Sequence, residues 1–190
     1  MTTSPARAGA SPEADFRQLY ASTYGDVLRF VQRRCHPSHA EDVAAEVFLI
    51  AWRRYADLPA ETDGRRAWLF GVAHKTLANA RRGQARREAL AVRIQDVSTG
   101  VDPGTHPDLV ATRLDLHRAW QHLSPLHQEA LSLAIWDGLS SEQAGELLGI
   151  SATAYRLRLS RARRALRTQM TTSDLAPAAT GRALPEGDLR

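Results

Sequence analysis

At 190 residues, 43% apolar and 24% charged, the chain has material for one medium or two small hydrophobic cores. No apolar run approaches the roughly 18 residues a bilayer crossing needs, and the N-terminus lacks the apolar segment of a signal peptide, so a cytoplasmic protein without membrane insertion is expected. The net charge is only +4, yet Lys75 is the sole lysine, so almost every positive charge is an arginine, whose fork grips phosphate and guanine.

A base-composition bias in the genome also raises arginine over lysine, so the distribution is more telling than the total. Arginines gather at Arg81 to Arg93 and at Arg156 to Arg167, while Glu41, Asp42 and Glu46 form an acidic patch. Two basic zones and one acidic zone point to nucleic acid plus a protein partner. Cys35 is the single cysteine and makes no internal disulfide. With His36 and His39 it still lacks the fourth ligand of a structural zinc site, so neither metal nor cofactor is expected.

In chain order, residues 1–12 read as a disordered tail. A helix is expected from about Glu13 to Arg34, with Phe16, Leu19, Tyr20, Val27, Leu28 and Val31 near helical spacing. Pro37 breaks it. Ser38 and Glu41 have capping-box spacing and predict a second helix to about Tyr55, burying Val43, Val47, Ile50 and Ala51 with Phe48 beside them. The helix dipole accounts for Glu41 and Asp42 at its start; Glu46 lies beyond the first turn and needs another reason. A third helix, capped by Asp63, is expected from Arg65 to Arg82. Its apolar side is Trp68, Leu69, Val72, Ala73, Leu77 and Ala80. Its other faces carry Arg66, Phe70, His74, Lys75, Asn79, Arg81 and Arg82, basic groups interleaved with an aromatic, a pattern suited to single-stranded nucleic acid. Trp68 reads as core.

From Val97 to Pro107 the composition is that of a linker. Order resumes near Leu109 with a helix through Leu114, Leu116, Ala119, Trp120 and Leu123. Ser124-Pro125 opens the next, expected to bury Leu126, Ala130, Leu131, Leu133 and Ala134 before Gly138. Then comes a short helix capped by Ser140 and Gln143, ended by Gly149, and a second helix capped by Ser151. The second helix carries Tyr155, Leu159, Ala162 and Leu166 on one face and Arg156, Arg158, Arg161, Arg163, Arg164 and Arg167 on the others. This is the layout of a DNA-reading helix-turn-helix, although basic amphipathic helices are also common solvated faces. After Met170 a second tail is expected. The expected fold is all-α: two small helical domains, 13–85 and 109–169, joined by a flexible linker at 86–108.

Three segments in order resemble the RNA polymerase sigma factors of the sigma-70 family, of the extracytoplasmic-function (ECF) type. Ala40 to Trp52 is similar to the family's polymerase-binding helix. Arg66-Ala67-Trp68-Leu69-Phe70-Gly71-Val72-Ala73, continuing to Asn79-Ala80-Arg81-Arg82, is similar to its −10 promoter helix. Leu123-Ser124-Pro125 through Ser140, then Gly149-Ile150-Ser151 and Arg161-Ala162-Arg163, is similar to its −35 domain. The resemblance implies core polymerase contact by Glu41, Asp42, Glu46 and Phe48. It implies −10 contact by Lys75, Asn79, Arg81, Arg82 and Arg86. It assigns Ser151, Thr153, Tyr155, Arg156, Arg158, Ser160 and Arg161 to −35 DNA. The chain departs from the family pattern at Ala45, where glutamine is usual, at Lys75, where many relatives have asparagine, and at Thr153-Ala154 and Leu157.

The implied partners are core RNA polymerase, promoter DNA and an anti-sigma factor, for a chain that is monomeric when free. The alternative is a two-domain DNA-binding regulator that never joins a polymerase. It explains the helix-turn-helix but not the acidic helix followed by Trp68 to Arg82. An enzyme is not expected. His117, His122 and His127 recur every five residues, which places successive imidazoles about 140° apart around a helix.

Overall fold

The computed structural model describes residues 11–83 and 107–174. Seven α-helices lie in these residues: α1 Pro12–Gln32, α2 Ala40–Arg53, α3 Thr62–Gly83, α4 Pro107–Gln121, α5 Pro125–Ile135, α6 Ser141–Leu148 and α7 Ala152–Asp174. Among the described residues there is no strand, so the expected all-α fold class holds. The expected tail at 1–12 lies outside them except for Ser11 and Pro12, and the expected linker lies outside them except for its last two residues. Helix α7 runs on to Asp174, past Met170 where a tail is expected to begin, and the rest of that expected tail lies outside the described residues.

In the first half α1, α2 and α3 pack on one another. Val27, Phe30 and Val31 of α1 meet Ala44, Val47, Phe48 and Ala51 of α2 and Leu69, Phe70, Ala73 and Leu77 of α3 in the core. Each fully buried valine, leucine or phenylalanine among them contributes about 1.5–3 kcal/mol over leaving it in water. Ser11 caps α1, accepting from the Ala14 N–H at 3.2 Å. The Ser38 capping box does not form. Pro37 instead opens a 3-10 turn, Pro37–His39, capped by His36, and α2 starts behind it with no side-chain cap. Ser38 pairs with His36 Nδ1 at 2.8 Å. Val43 and Ile50 are only half-buried, because the packed face of α2 centres on Ala40, Ala44, Val47 and Ala51.

In the second half α5 and α6 pack on α7, and α4 lies along α7 as well. The local signals hold here. Ser124 caps α5 with proline at its first position, and Ser140 and Gln143 form the full capping box of α6. Gly149 ends α6 at φ 67° and Gly138 follows α5 at φ 62°, left-handed conformations that favour glycine. Ser151 accepts from the Ala154 N–H at 3.1 Å to start α7. Trp120, Ala130, Leu131, Leu133, Ala144, Tyr155, Leu159 and Ala162 fill this core. Leu126, expected in the core, is exposed, as are Leu114 and Leu116; α5 turns Gln128, Glu129 and Ser132 inward, where Gln128 Nε2 donates to the Trp120 carbonyl at 2.8 Å while Glu129 and Ser132 meet a polar group of the first half.

The two halves are in direct contact, an arrangement the sequence reading did not anticipate. The Arg34 guanidinium is buried at the end of α1 and crosses between them. Its Nε donates to Glu129 Oε1 at 3.1 Å, and its Nη2 donates to Ser132 Oγ at 3.2 Å and Asp137 Oδ2 at 2.8 Å. Its Nη1 donates to the Phe30 carbonyl at 3.0 Å. Arg33 forms an ion pair with the other Asp137 oxygen. Arg34 lies 3.6 Å from the Phe30 ring centre, Phe30 stacks on Phe70 at 4.7 Å, and Arg66 lies 4.7 Å over Phe70.

Candidate nucleic-acid interface

Helix α2 turns Asp42, Ala45, Glu46 and Leu49 outward along one stripe, with Glu41 exposed beside it. Trp52 (41% exposed) continues this stripe, and Tyr20 (43%) of α1 stands next to it. Both aromatics are held by edge contacts, Tyr20 to Phe48 at 4.8 Å and Trp52 to Phe16 at 5.0 Å. The face is therefore acidic and aromatic together; exposed aromatics are enriched in protein-binding surfaces, and the acids give this one a negative charge. Phe48 itself is 4% exposed. Its ring packs against Tyr20 from within, so Phe48, expected as a contact residue, is buried beneath this face and not presented on it. Neither Tyr20 nor Trp52 was singled out from sequence as a contact, although Trp52 shares the period of Asp42 and Leu49.

On α3, Lys75 and Asn79 are exposed one turn apart. Arg81 and Arg82 continue the helix, with side chains outside the described residues, and Arg86 lies outside them altogether. Phe70, expected on the nucleic-acid face, is 1% exposed and stacked on Phe30. The core of the three-helix unit claims it, and no aromatic platform remains at that position. Trp68 is half-buried with the Arg54 guanidinium 5.6 Å over its ring.

Helix α7 is anchored through Tyr155, Leu159 and Ala162. Its outward side exposes Arg156, Ser160, Arg161, Arg163, Arg164 and Arg167, with Thr153 and Ser151 at the start and Arg158 half-buried. Tyr155 is fully buried and its hydroxyl donates to the Ala130 carbonyl at 2.9 Å. It fixes α7 on α5 and is not available to DNA. Burial pushes its hydroxyl pKa up to about 12. Arg156 is held over the helix start by Thr153 Oγ1 at 3.0 Å and Glu142 Oε1 at 3.3 Å. The Glu142 carboxyl titrates below its usual range because of its own backbone hydrogen bond, then the Ser140 hydroxyl, with Arg156 a smaller influence.

Residue Gly145 of α6, unremarked in the sequence reading, sets the helix-turn-helix geometry. A Cβ there would lie 2.8 Å from the Ile150 carbonyl oxygen and 3.2 Å from the Ala152 nitrogen. The turn between the two helices closes directly over it.

A sigma-70 region 2 family profile matches residues 19–87, and a sigma-70 region 4 profile matches residues 113–166. The ECF RNA polymerase sigma factor SigL of Mycobacterium tuberculosis is 30% identical over 164 residues, which span 84% of this chain and 91% of SigL. The chain belongs to the ECF sigma factors of the sigma-70 family. A further relative of this sigma factor is CarQ of Myxococcus xanthus, 34% identical over 80% of this chain and 87% of CarQ. Its fold is similar to that of the sigma factor RpoE from Bartonella quintana, solved in complex with the anti-sigma factor NepR, at TM-score 0.63 and 22% identity over 83% of this chain and 97% of that one. It is also similar to CnrH, solved with the cytosolic domain of CnrY, at TM-score 0.55 and 23% identity, covering 86% and 91% of the two chains.

The two profiles fall on the two halves of the fold, so α2 and α3 belong to region 2 and α7 to region 4. Among the described residues no helix is long and apolar enough to cross a membrane. No group of three or more His, Cys, Asp or Glu there is placed to hold a metal ion.

Proposed function

We propose that this sigma factor docks on core RNA polymerase through the α2 face of Glu41, Asp42 and Glu46, reads a −35 element with α7, and captures opened −10 DNA at the C-terminal half of α3. The observation that carries this reading is the placement of two unlike surfaces on separate helices. One is an acidic, aromatic face on α2, the other an arginine stripe on α7 anchored by a buried tyrosine. The acidic face complements a basic polymerase surface and speeds encounter. Arg156, Ser160 and Arg161 enter the major groove of duplex DNA, where arginine pairs with guanine edges. Arg163, Arg164 and Arg167 hold phosphates, which makes binding strongly salt-dependent.

Lys75 and Asn79, with Arg81, Arg82 and Arg86, meet the −10 strand. Extruding a base costs a few kcal/mol of unstacking, recovered by contacts to the captured base. The protein acts by binding, in the cytoplasm, as a monomer when free, and catalyses nothing itself. An anti-sigma factor is its natural inhibitor; the two solved structures of like fold support this, each being a complex with such a partner or a partner's cytosolic domain.

Association with purified core polymerase, measured by size-exclusion chromatography, tests the docking face. The wild-type chain co-elutes with core, and Asp42→Arg with Glu46→Arg abolishes co-elution while leaving the helical signal intact. Equal association of the charge-reversed chain would overturn the assignment of the face.

A further inference from the structure

Leu157 stands in the middle of the outward side of α7, and neither the core nor the polar contacts described above account for it. It follows Tyr155 by two residues, a turn of about 200° around the helix axis. Its side chain therefore points almost directly away from the Tyr155, Leu159 and Ala162 face that anchors α7. It is 52% exposed. The other exposed large apolar side chains among the described residues lie on α1, α2, α4 and α5. Single surface leucines are ordinary, but the surroundings of this one are not. One turn before and after it stand Thr153, Ser160 and Arg161, all exposed. Arg156 beside it is held by Thr153 and Glu142.

We propose that Leu157 reads a thymine of the −35 element by laying its side chain against the C5-methyl group in the major groove. The inference rests on the −35 reading of α7 and deepens it from a surface to one base contact.

Position along the helix supports this. Leu157 is the sixth residue of α7, which begins at Ala152, and the N-terminal residues of a recognition helix are those that reach base edges. Charge and area identify the occupant as DNA. Among the exposed described residues of α7 the apolar ones are Ala154 and Leu157 alone, far short of the contiguous apolar patch of a protein-docking site. The arginines around them match a polyanion.

The chemistry of the groove then selects the base. Every base pair presents hydrogen-bonding groups there, and thymine alone adds a methyl group. A leucine side chain neither donates nor accepts. Set against guanine, adenine or cytosine, it takes polar atoms out of water and returns no hydrogen bond, which is costly. Set against thymine, it buries apolar surface on both partners. Leu157 therefore favours one base and penalises the others, while the neighbouring arginines supply guanine contacts and phosphate charge. A serine at this position would hydrogen-bond to any base edge and discriminate little.

The test selects promoter fragments from a library randomised over the −35 region, using the full-length chain joined to core polymerase. Each thymine of the selected element is then replaced by deoxyuridine, which removes the C5-methyl and leaves the hydrogen-bonding groups in place. At one position the wild-type complex should lose about fourfold in affinity, the worth of one buried methyl group. Leu157→Ser should bind the thymine and deoxyuridine fragments equally, and Leu157→Met, which keeps an apolar side chain of similar volume, should retain the preference. The loss should be the same at about 50 and about 200 mM salt, because burying a methyl group releases no counterions, whereas total affinity falls steeply over that range. A selected element without thymine, a wild type indifferent to deoxyuridine at every position, or a folded Leu157→Ser that keeps the preference would overturn the contact and leave the −35 reading standing. Weaker association of Leu157→Ser with core polymerase in the absence of DNA would also overturn it, marking the leucine as a protein contact. Selected fragments that share no common element would instead overturn the −35 reading, and the contact with it.

Discussion

Substituting Gly145→Ala pits two effects of known sign against each other. In an unobstructed helix, alanine gains about 0.5–1 kcal/mol over glycine because the unfolded chain loses freedom. At Gly145 the new methyl meets the Ile150 carbonyl oxygen at 2.8 Å and the Ala152 nitrogen and Cα at 3.2 and 3.3 Å. All three are backbone atoms of the turn, and the Ile150 N–H is already tied to the Gly145 carbonyl at 2.9 Å. Relief therefore requires α7 to move away from α6, and overpacking of this kind costs about 1–3 kcal/mol. The net expectation is a loss of about 1–2 kcal/mol, which for a chain of this size lowers the melting temperature by roughly 2–8 °C.

Gly71→Ala in α3 is the control, because nothing lies within 4 Å of a Cβ there; it should melt slightly higher than wild type. Thermal melts of both variants, with −35 duplex binding measured by fluorescence anisotropy, give the comparison. Affinity should fall for Gly145→Ala alone, since the recognition helix is displaced from its partner. A Gly145→Ala protein as stable as wild type with unchanged duplex affinity would refute the argument that this close approach sets the inter-helix angle.

Alkaline pH gives a second test. The Tyr155 hydroxyl is raised from 10.0 to about 12 by burial, so its contribution is fully present below pH 10 and is lost as pH rises from 10 toward 12. At pH 11 the loss is about 1 kcal/mol. Urea midpoints between pH 8 and 11 should fall more steeply for wild type than for Tyr155→Phe; parallel curves would contradict the assignment. Arg161→Ala should weaken −35 duplex binding with a sequence-dependent cost of about 1–3 kcal/mol, whereas Arg164→Ala should weaken all duplexes alike and reduce the salt slope by about 1. Salt titrations on matched and scrambled duplexes distinguish these outcomes, and equal behaviour of the two variants would refute the division of roles along α7.

The features legible in the sequence are those decided within a few residues. Ser124, Ser140 with Gln143, Gly149 and Ser151 mark helix ends by local chemistry, and each does so in the fold. The α7 face of Tyr155, Leu159 and Ala162 follows from period alone. Where the reading failed, a distant partner decided. Phe70 looked solvent-facing because its own helix has a better apolar stripe, but Phe30, 40 positions earlier, stacks on it. Leu126 looked like core, yet the inward side of α5 is taken by Glu129 and Ser132, which answer Arg34 across roughly 95 residues of chain. Tyr155 was given two roles, core and DNA contact; its hydrogen bond to Ala130 leaves only the first. Ser38 does not cap α2 because Pro37 opens a 3-10 turn before the helix, capped by His36, and α2 itself starts without a side-chain cap.

The most direct test of the central claim is promoter-dependent transcription by purified core polymerase on fragments selected from the source genome, with and without this protein. The account predicts discrete start sites that appear only when the protein is present and disappear with Asp42→Arg plus Glu46→Arg. Binding to the same duplexes without polymerase association or initiation would contradict it, and would mark the chain as a DNA-binding regulator that never joins the enzyme.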